Sequence, residues 1–337
     1  MRASALVFLL AGAAWAQRAP YSPERLALVR EVSEVRLSPD GKNVAFVSDI
    51  TGAREVWTVP SRGGWPTQLS WLGELASDLR YSPDGRKLLF ASDHGGDERP
   101  DIFLVDANGG EVENLTISTR AETALRFSPD GKRLAFLGDP KQSFLYQLFV
   151  KELGAKTDVQ LTHEPVSLKY PVWSPSGRVI AVTRSGDDQK GELLLVDAAT
   201  GETIEASTPV SGGITIPEQF SSDSRNLLCR SRNTKGFLQL YLVDVKSGRG
   251  RFIGFDEWDV DQAVYHPTAG IFFTRNEGGA SALYRLRQEH RQPEVVLAAR
   301  GRIEGFDVDA AGDSLAYLWS DSTTAPTSGF LTSRRAY

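Results

Sequence analysis

A four-residue turn returns along this chain at a nearly constant interval, and that interval restricts the fold more than any other feature. Ser38, Pro39, Asp40, Gly41 recurs as Ser82, Pro83, Asp84, Gly85, as Ser128, Pro129, Asp130, Gly131, and more weakly as Ser174, Pro175, Ser176, Gly177. Three further copies keep the place but not the residues: Ser221, Ser222, Asp223, Ser224; His266, Pro267, Thr268, Ala269; and Asp309, Ala310, Ala311, Gly312. Their first positions step by 44, 46, 46, 47, 45 and 43 residues. A period of this size is the mark of a repeat architecture. Within the tetrapeptide, proline presets φ, aspartate bonds the backbone beyond it, and glycine takes the left-handed position, so the motif is a hairpin connector with no chemistry of its own.

Each unit shares an internal order. In the second, residues 79–81 lead into the turn, 87–91 follow it, and 101–105 and 113–116 supply two more strands. Residues 55–59, 147–150, 192–196, 239–243 and 282–286 repeat the third strand, and such β-branched, aromatic and leucine-rich runs bounded by Gly, Asp and Asn read as strand. Four strands per unit is the arithmetic of a propeller blade, so the expected fold is all-β: a seven-bladed β-propeller of four-stranded antiparallel blades over residues 17–337. The βαβ alternation of a doubly wound sheet is absent. A single helix is expected over 22–32, with Pro23 and Glu24 suited to its first turn. The last blade offers strands near 303–308, 314–318 and 329–333, and a strand near 25–30, if not helical, is the expected closure of the ring.

The start of the chain reads as an export signal, residues 1–16. Arg2 is followed by an apolar run over 6–14, and Ala14, Trp15, Ala16 form a small-x-small cleavage site. The run is too short to span a bilayer, which needs about 20 residues, so a periplasmic or secreted protein without a membrane span is expected. With 43 acidic and 38 basic residues and a net charge of −5, the chain offers no basic field for a phosphate backbone, and nucleic acid is excluded as a partner. The one cysteine, Cys229, cannot form an internal disulfide and sits in an apolar strand pattern, as a buried inert thiol does.

The turn followed by an apolar strand, as over 82–91 and 128–136, resembles the repeats of TolB-like propellers and of the N-terminal propeller of prolyl oligopeptidase family serine peptidases, acylaminoacyl-peptidase-like members included. Ala91, Ser92, Asp93, His94, Gly95, Gly96, Asp97, Glu98, with 101–104 and Glu113, Asn114, Leu115, Thr116, looks like the second-blade region of those peptidases. Trp319, Ser320, Asp321, Ser322, Thr323, Thr324, Ala325, Pro326 looks like their last blade before the catalytic domain. The resemblance implies a propeller that gates substrate access to an α/β-hydrolase domain, and a peptide substrate or partner protein as ligand. That catalytic domain is absent from the sequence, so this chain alone is expected to be inactive. The other reading is a free-standing TolB-like interaction module of the periplasm. The glutamate pair that anchors the substrate amino terminus in dipeptidyl peptidase relatives has no counterpart here.

No residue stands out as catalytic, cofactor-binding or metal-binding. The nearest approach to a nucleophile elbow, Gly279, Ala280, Ser281, Ala282, Leu283, lacks the second glycine and leads into a strand. His163 and Glu164 lack the second histidine of a zinc protease, His266 occupies a turn position and His290 a polar loop. His94, beside Asp93 and Asp97, is the best candidate for a site, against a solvated loop. The acidic clusters Asp93, Asp97, Glu98 and Asp256, Glu257, Asp259, Asp261 do not follow calcium-loop spacing and read as solvated loops, with Trp258 as a contact surface in the second.

Overall fold

The computed structural model describes residues 30–332 except 94, 188, 207, 254–256, 288–291, 299–300 and 322–323. Over these residues six sheets have four antiparallel strands in sequence order, and a last sheet has three. The first strand of each sheet lies innermost, against the first strands of its neighbours: Val32–Leu37, Ser77–Tyr81, Glu122–Phe127, Leu168–Trp173, Thr215–Phe220, Val260–His266 and Arg302–Val308. These strands line the propeller axis. The expected seven four-stranded blades are thereby corrected to six. The terminal sheet comprises Arg302–Val308, Ser314–Asp321 and Thr324–Thr332. Its third strand, expected at 329–333, runs nine residues and pairs back to Ser314 through Thr332. The expected helix over 22–32 is also corrected where it can be seen: Val32 opens the first inner strand. The signal segment and the closing strand expected near 25–30 lie outside the described residues.

The turns explain why the repeat survives. Ser38 Oγ donates to Asp40 Oδ1 at 2.7 Å and accepts from the N–H of Asn43 at 3.0 Å, while Asp40 Oδ1 accepts from Lys42 N–H at 3.1 Å. The same set recurs at Ser82 and Asp84, Ser128 and Asp130, and Ser221 and Asp223. Gly41, Gly85 and Gly131 sit at φ of 69°, 71° and 68°, the left-handed region that glycine enters without a Cβ penalty.

The core is distributed between blades, since each sheet must bury both faces. Leu89, Ala91, Ile102 and Leu104 of the second blade pack on Leu125, Leu134, Phe136 and Phe149 of the third. An equivalent layer follows at every junction, ending with Ala316 and Leu318 of the terminal sheet against Val35, Leu37 and Val44 of the first blade. No helix among the described residues is long and apolar enough to cross a membrane.

Candidate functional site

Each inner strand carries a β-bulge, and the bulges decide what faces the axis. In the first three blades the arginine two residues before the turn serine, Arg36, Arg80 and Arg126, turns into the channel, and its guanidinium donates to the carbonyl oxygen of the preceding residue, Val35, Leu79 and Leu125. Glu218 and Asp307 enter from the fifth blade and the terminal sheet. Together with Pro39, Tyr81 and Gln262 these groups line a mouth of about 520 Å³ on the face that bears the turns.

Acids tie neighbouring inner strands together. Glu34 accepts from the N–H groups of Asp78 at 2.6 Å and Leu79 at 3.1 Å. Asp78 in turn accepts from the N–H of Ala124 at 2.5 Å and the hydroxyl of Thr123 at 2.9 Å. Gln262 bonds Phe306 through both its amide atoms, and Asp307 accepts from Leu37 N–H at 2.9 Å, linking the last sheet to the first.

The electrostatics are uneven around the ring. Loss of solvent, then the proximity of Arg126 and Arg36, pulls the Arg80 pKa well below the usual guanidinium range, and burial acts likewise on Arg126. Burial raises the carboxyls of Glu218 and Asp307 above the ordinary range despite Arg230 beside the first and Arg36 beside the second. Three cations and two weakened acids thus share the channel, with Asp307 beside Arg36 and Glu218 within reach of Arg126. Groups held off their usual titration in a concave site are where binding chemistry concentrates.

The residues singled out from the sequence lie elsewhere. Cys229 is buried, and burial drives its thiol pKa well up, which suppresses the nucleophilic thiolate. Ser281 is a buried strand residue whose N–H donates to Gly301. His163 is exposed and 3.0 Å from the Gln160 amide. The buried His266 does the work of a turn serine: its Nδ1 accepts from Ala269 N–H at 3.0 Å, and its Nε2, 3.0 Å from the carbonyl of Ala310, donates to the next turn. His94, His290 and Asp256 lie outside the described residues. Glu257 pairs with Lys235, Asp259 accepts from Leu238 N–H, and the partly exposed Trp258 lends its carbonyl to Gln239. Burial, then Glu74, Asp97 and Glu98, raises the Asp93 carboxyl. Among the described residues no three His, Cys, Asp or Glu side chains converge on a metal position.

The channel groups had a sequence signal that turn-counting passed over. Val35-Arg36-Leu37, Leu79-Arg80-Tyr81 and Leu125-Arg126-Phe127 each precede a turn serine, and a cation alternating with apolar residues along a strand faces away from the side they cover.

A ring of antiparallel blades around a charged axial channel defines a β-propeller. The chain belongs to the TolB beta propeller domain family, which matches over residues 31–208. No curated protein matches it in sequence. Among solved structures it is similar to the propeller domain of the trilobed protease of Pyrococcus furiosus, described as having an open velcro topology, at 17% identity and a TM-score of 0.69, with 89% of this chain and 95% of that one covered. It is similar to the acylaminoacyl peptidase of Pyrococcus horikoshii at 18% identity and TM-score 0.68, covering 90% of this chain but 51% of that one, about half its length. It is also similar to an oligogalacturonate lyase of Vibrio parahaemolyticus at 12% identity and TM-score 0.73, with 91% and 90% covered. Identities this low bear on the fold alone, and the three proteins differ in activity.

Proposed function

We propose that this protein is an exported binding propeller of the peptidase-gating kind, which receives an extended polypeptide segment at its axial channel. The observation that carries the reading is the charged channel mouth, lined by both the cations Arg36, Arg80 and Arg126 and the acids Glu218 and Asp307. A polypeptide offers both carbonyl and carboxylate acceptors and N–H or ammonium donors, and such a mouth complements both. The second-blade and last-blade resemblances support a peptidase context, in which an α/β-hydrolase domain performs the cleavage and the propeller restricts access. Residues 1–16 would direct export.

The test is the affinity of a fluorescein-labelled unfolded polypeptide, measured by anisotropy at low and high salt. Arg126→Met should weaken binding about tenfold, the loss expected for one charge-assisted contact, and should flatten the salt dependence. Unchanged affinity would remove the channel from the reading. The family match favours a second reading, a periplasmic protein-interaction module. Saturable binding of folded proteins alone, insensitive to Arg126→Met, would support that one instead.

A further inference from the structure

The three channel arginines follow one pattern, and the third lacks a part of it. Arg36 and Arg80 each have an acid two residues earlier in the strand, Glu34 and Asp78, at 3.5 Å from the guanidinium. The corresponding residue before Arg126 is Ala124. Arg126 is half-buried and donates from Nη1 to the carbonyl oxygen of Leu125 at 2.8 Å. Among the described residues its Nε and Nη2 have no acceptor, and it pairs with no carboxylate; Asp78 and Glu218 are near enough to be felt but not to pair. Comparably covered arginines elsewhere do pair: Arg120 lies 2.8 Å from Glu122 and 2.7 Å from Asp158, and Arg184 lies 3.2 Å from Glu164. No nearby acid is idle. Glu34 and Asp78 accept from N–H groups of the following blade, Asp307 from Leu37 N–H, and Glu218 is paired with Arg230. A cation drawn partly out of water without a counter-charge is costly, and this one lines the channel mouth, where a ligand can supply that charge.

We infer that Arg126 is the anchor of the channel and takes a carboxylate of the bound polypeptide, its C-terminus or an acidic side chain, as a two-pronged pair through Nε and Nη2. This rests on the reading of the channel as a polypeptide site and names the group recognised there. Nε and Nη2 form the parallel donor edge of a guanidinium, and that edge matches the two oxygens of a carboxylate. The ligand supplies to Arg126 the acid that Glu34 and Asp78 supply to Arg36 and Arg80 within the chain. A monoanion suits the place better than a phosphate, because one guanidinium lacks its counter-charge while Asp78 and Glu218, both felt by Arg126, oppose a second negative charge. The channel therefore selects polypeptides by an acidic group and does not hold every extended segment equally.

The test is calorimetric titration of the full chain with an N-acetylated octapeptide of glycine, serine and alanine. Three forms are compared: the free C-terminal acid, the C-terminal amide, and the amide with one internal glutamate. At least one acid-bearing form is expected to bind about tenfold more tightly than the neutral amide. Preference for the free acid identifies a chain terminus, and preference for the glutamate form a side chain. Arg126→Lys keeps the charge but loses the two-pronged edge, so it should remove most of that tenfold preference and leave the neutral amide unchanged. Ala124→Asp gives Arg126 an acid of its own, at φ 58° where aspartate is tolerated, and should remove the preference too. Either variant decides the matter if melting shows the other unfolded. Equal affinity for all three forms overturns the inference and leaves the channel reading standing. A preference that survives in the folded variants overturns it as well, since the carboxylate then sits elsewhere. Failure of all three forms at millimolar concentration, while an unfolded polypeptide binds, overturns the inference alone; if the unfolded polypeptide also fails, the channel reading falls and takes the inference with it.

Discussion

Asp78 shows how one side chain serves both the fold and the channel. Its Oδ2 holds Ala124 and Thr123 of the next blade, and its Oδ1 lies 3.5 Å from the Arg80 guanidinium. Burial opposes its charge, but Arg80, Arg126 and the two donors outweigh burial and hold the carboxyl below its ordinary value. A folded pKa below the unfolded one means stability that is fully present above the unfolded value and is lost as pH falls through the folded one. Asp78→Ala strands two donors and two cations, and should cost about 3 kcal/mol in urea denaturation at neutral pH. The difference from the parent should shrink on acidification below the usual carboxylate range; a constant difference would mean the side chain acts through packing. These roles were hard to read from the chain because partners lie 44 to 46 residues apart and share no local motif. The Glu-x-Arg, Asp-x-Arg and Ala-x-Arg series at 34–36, 78–80 and 124–126 was nevertheless there to be aligned.

At the scale of the element, turn chemistry made the repeat legible and also explains how copies decay without losing the fold. The position needs an acceptor for the N–H that closes the turn, and it does not need serine. Asp309 Oδ1 accepts from Asp313 and Ser314, and the His266 ring accepts from Ala269. Ser224 fills the glycine position at φ 59° and accepts from Ser176 of the preceding blade at 3.1 Å, which offsets part of the conformational cost. Spacing therefore outlasts residue identity, and the three degenerate turns could be placed by period alone. In the intact copies serine and aspartate support each other: the Ser82 hydroxyl, then the N–H of Arg86, lowers the Asp84 carboxyl. Ser82→Ala should destabilise the protein by about 1 kcal/mol. It should also return the Asp84 pKa toward its ordinary value in a carboxylate NMR titration. An unmoved Asp84 would assign the lowering to the backbone donor alone.

For the whole molecule, the unresolved question of the sequence was how the ring closes, because strand count depends on where a long third strand stops rather than on any motif. Among the described residues the terminal sheet takes no strand from the first blade, whose inner strand pairs within its own sheet. Closure there rests on face packing, on Leu37 N–H to Asp307 at 2.9 Å and on Ala310 N–H to the carbonyl of Pro39 at 3.1 Å. Among the described residues the apolar layer at this seam has five buried side chains, Val35, Leu37, Val44, Ala316 and Leu318, as many as between the sixth blade and the terminal sheet, against eleven between the third and fourth blades. Less apolar burial means a cheaper local opening, and the first blade and the terminal sheet are neighbours that do not follow one another in the chain, so the seam is where this propeller should part first. Native-state hydrogen exchange should show Leu37 and Ala310 exchanging at lower free energy than Ala124, whose amide makes the matching tie to Asp78 between the second and third blades. Leu37→Ala should lower seam protection and global stability together, by about 2 to 4 kcal/mol globally. Protection at Leu37 and Ala310 equal to that at Ala124 would mean that the ring opens only as one cooperative unit.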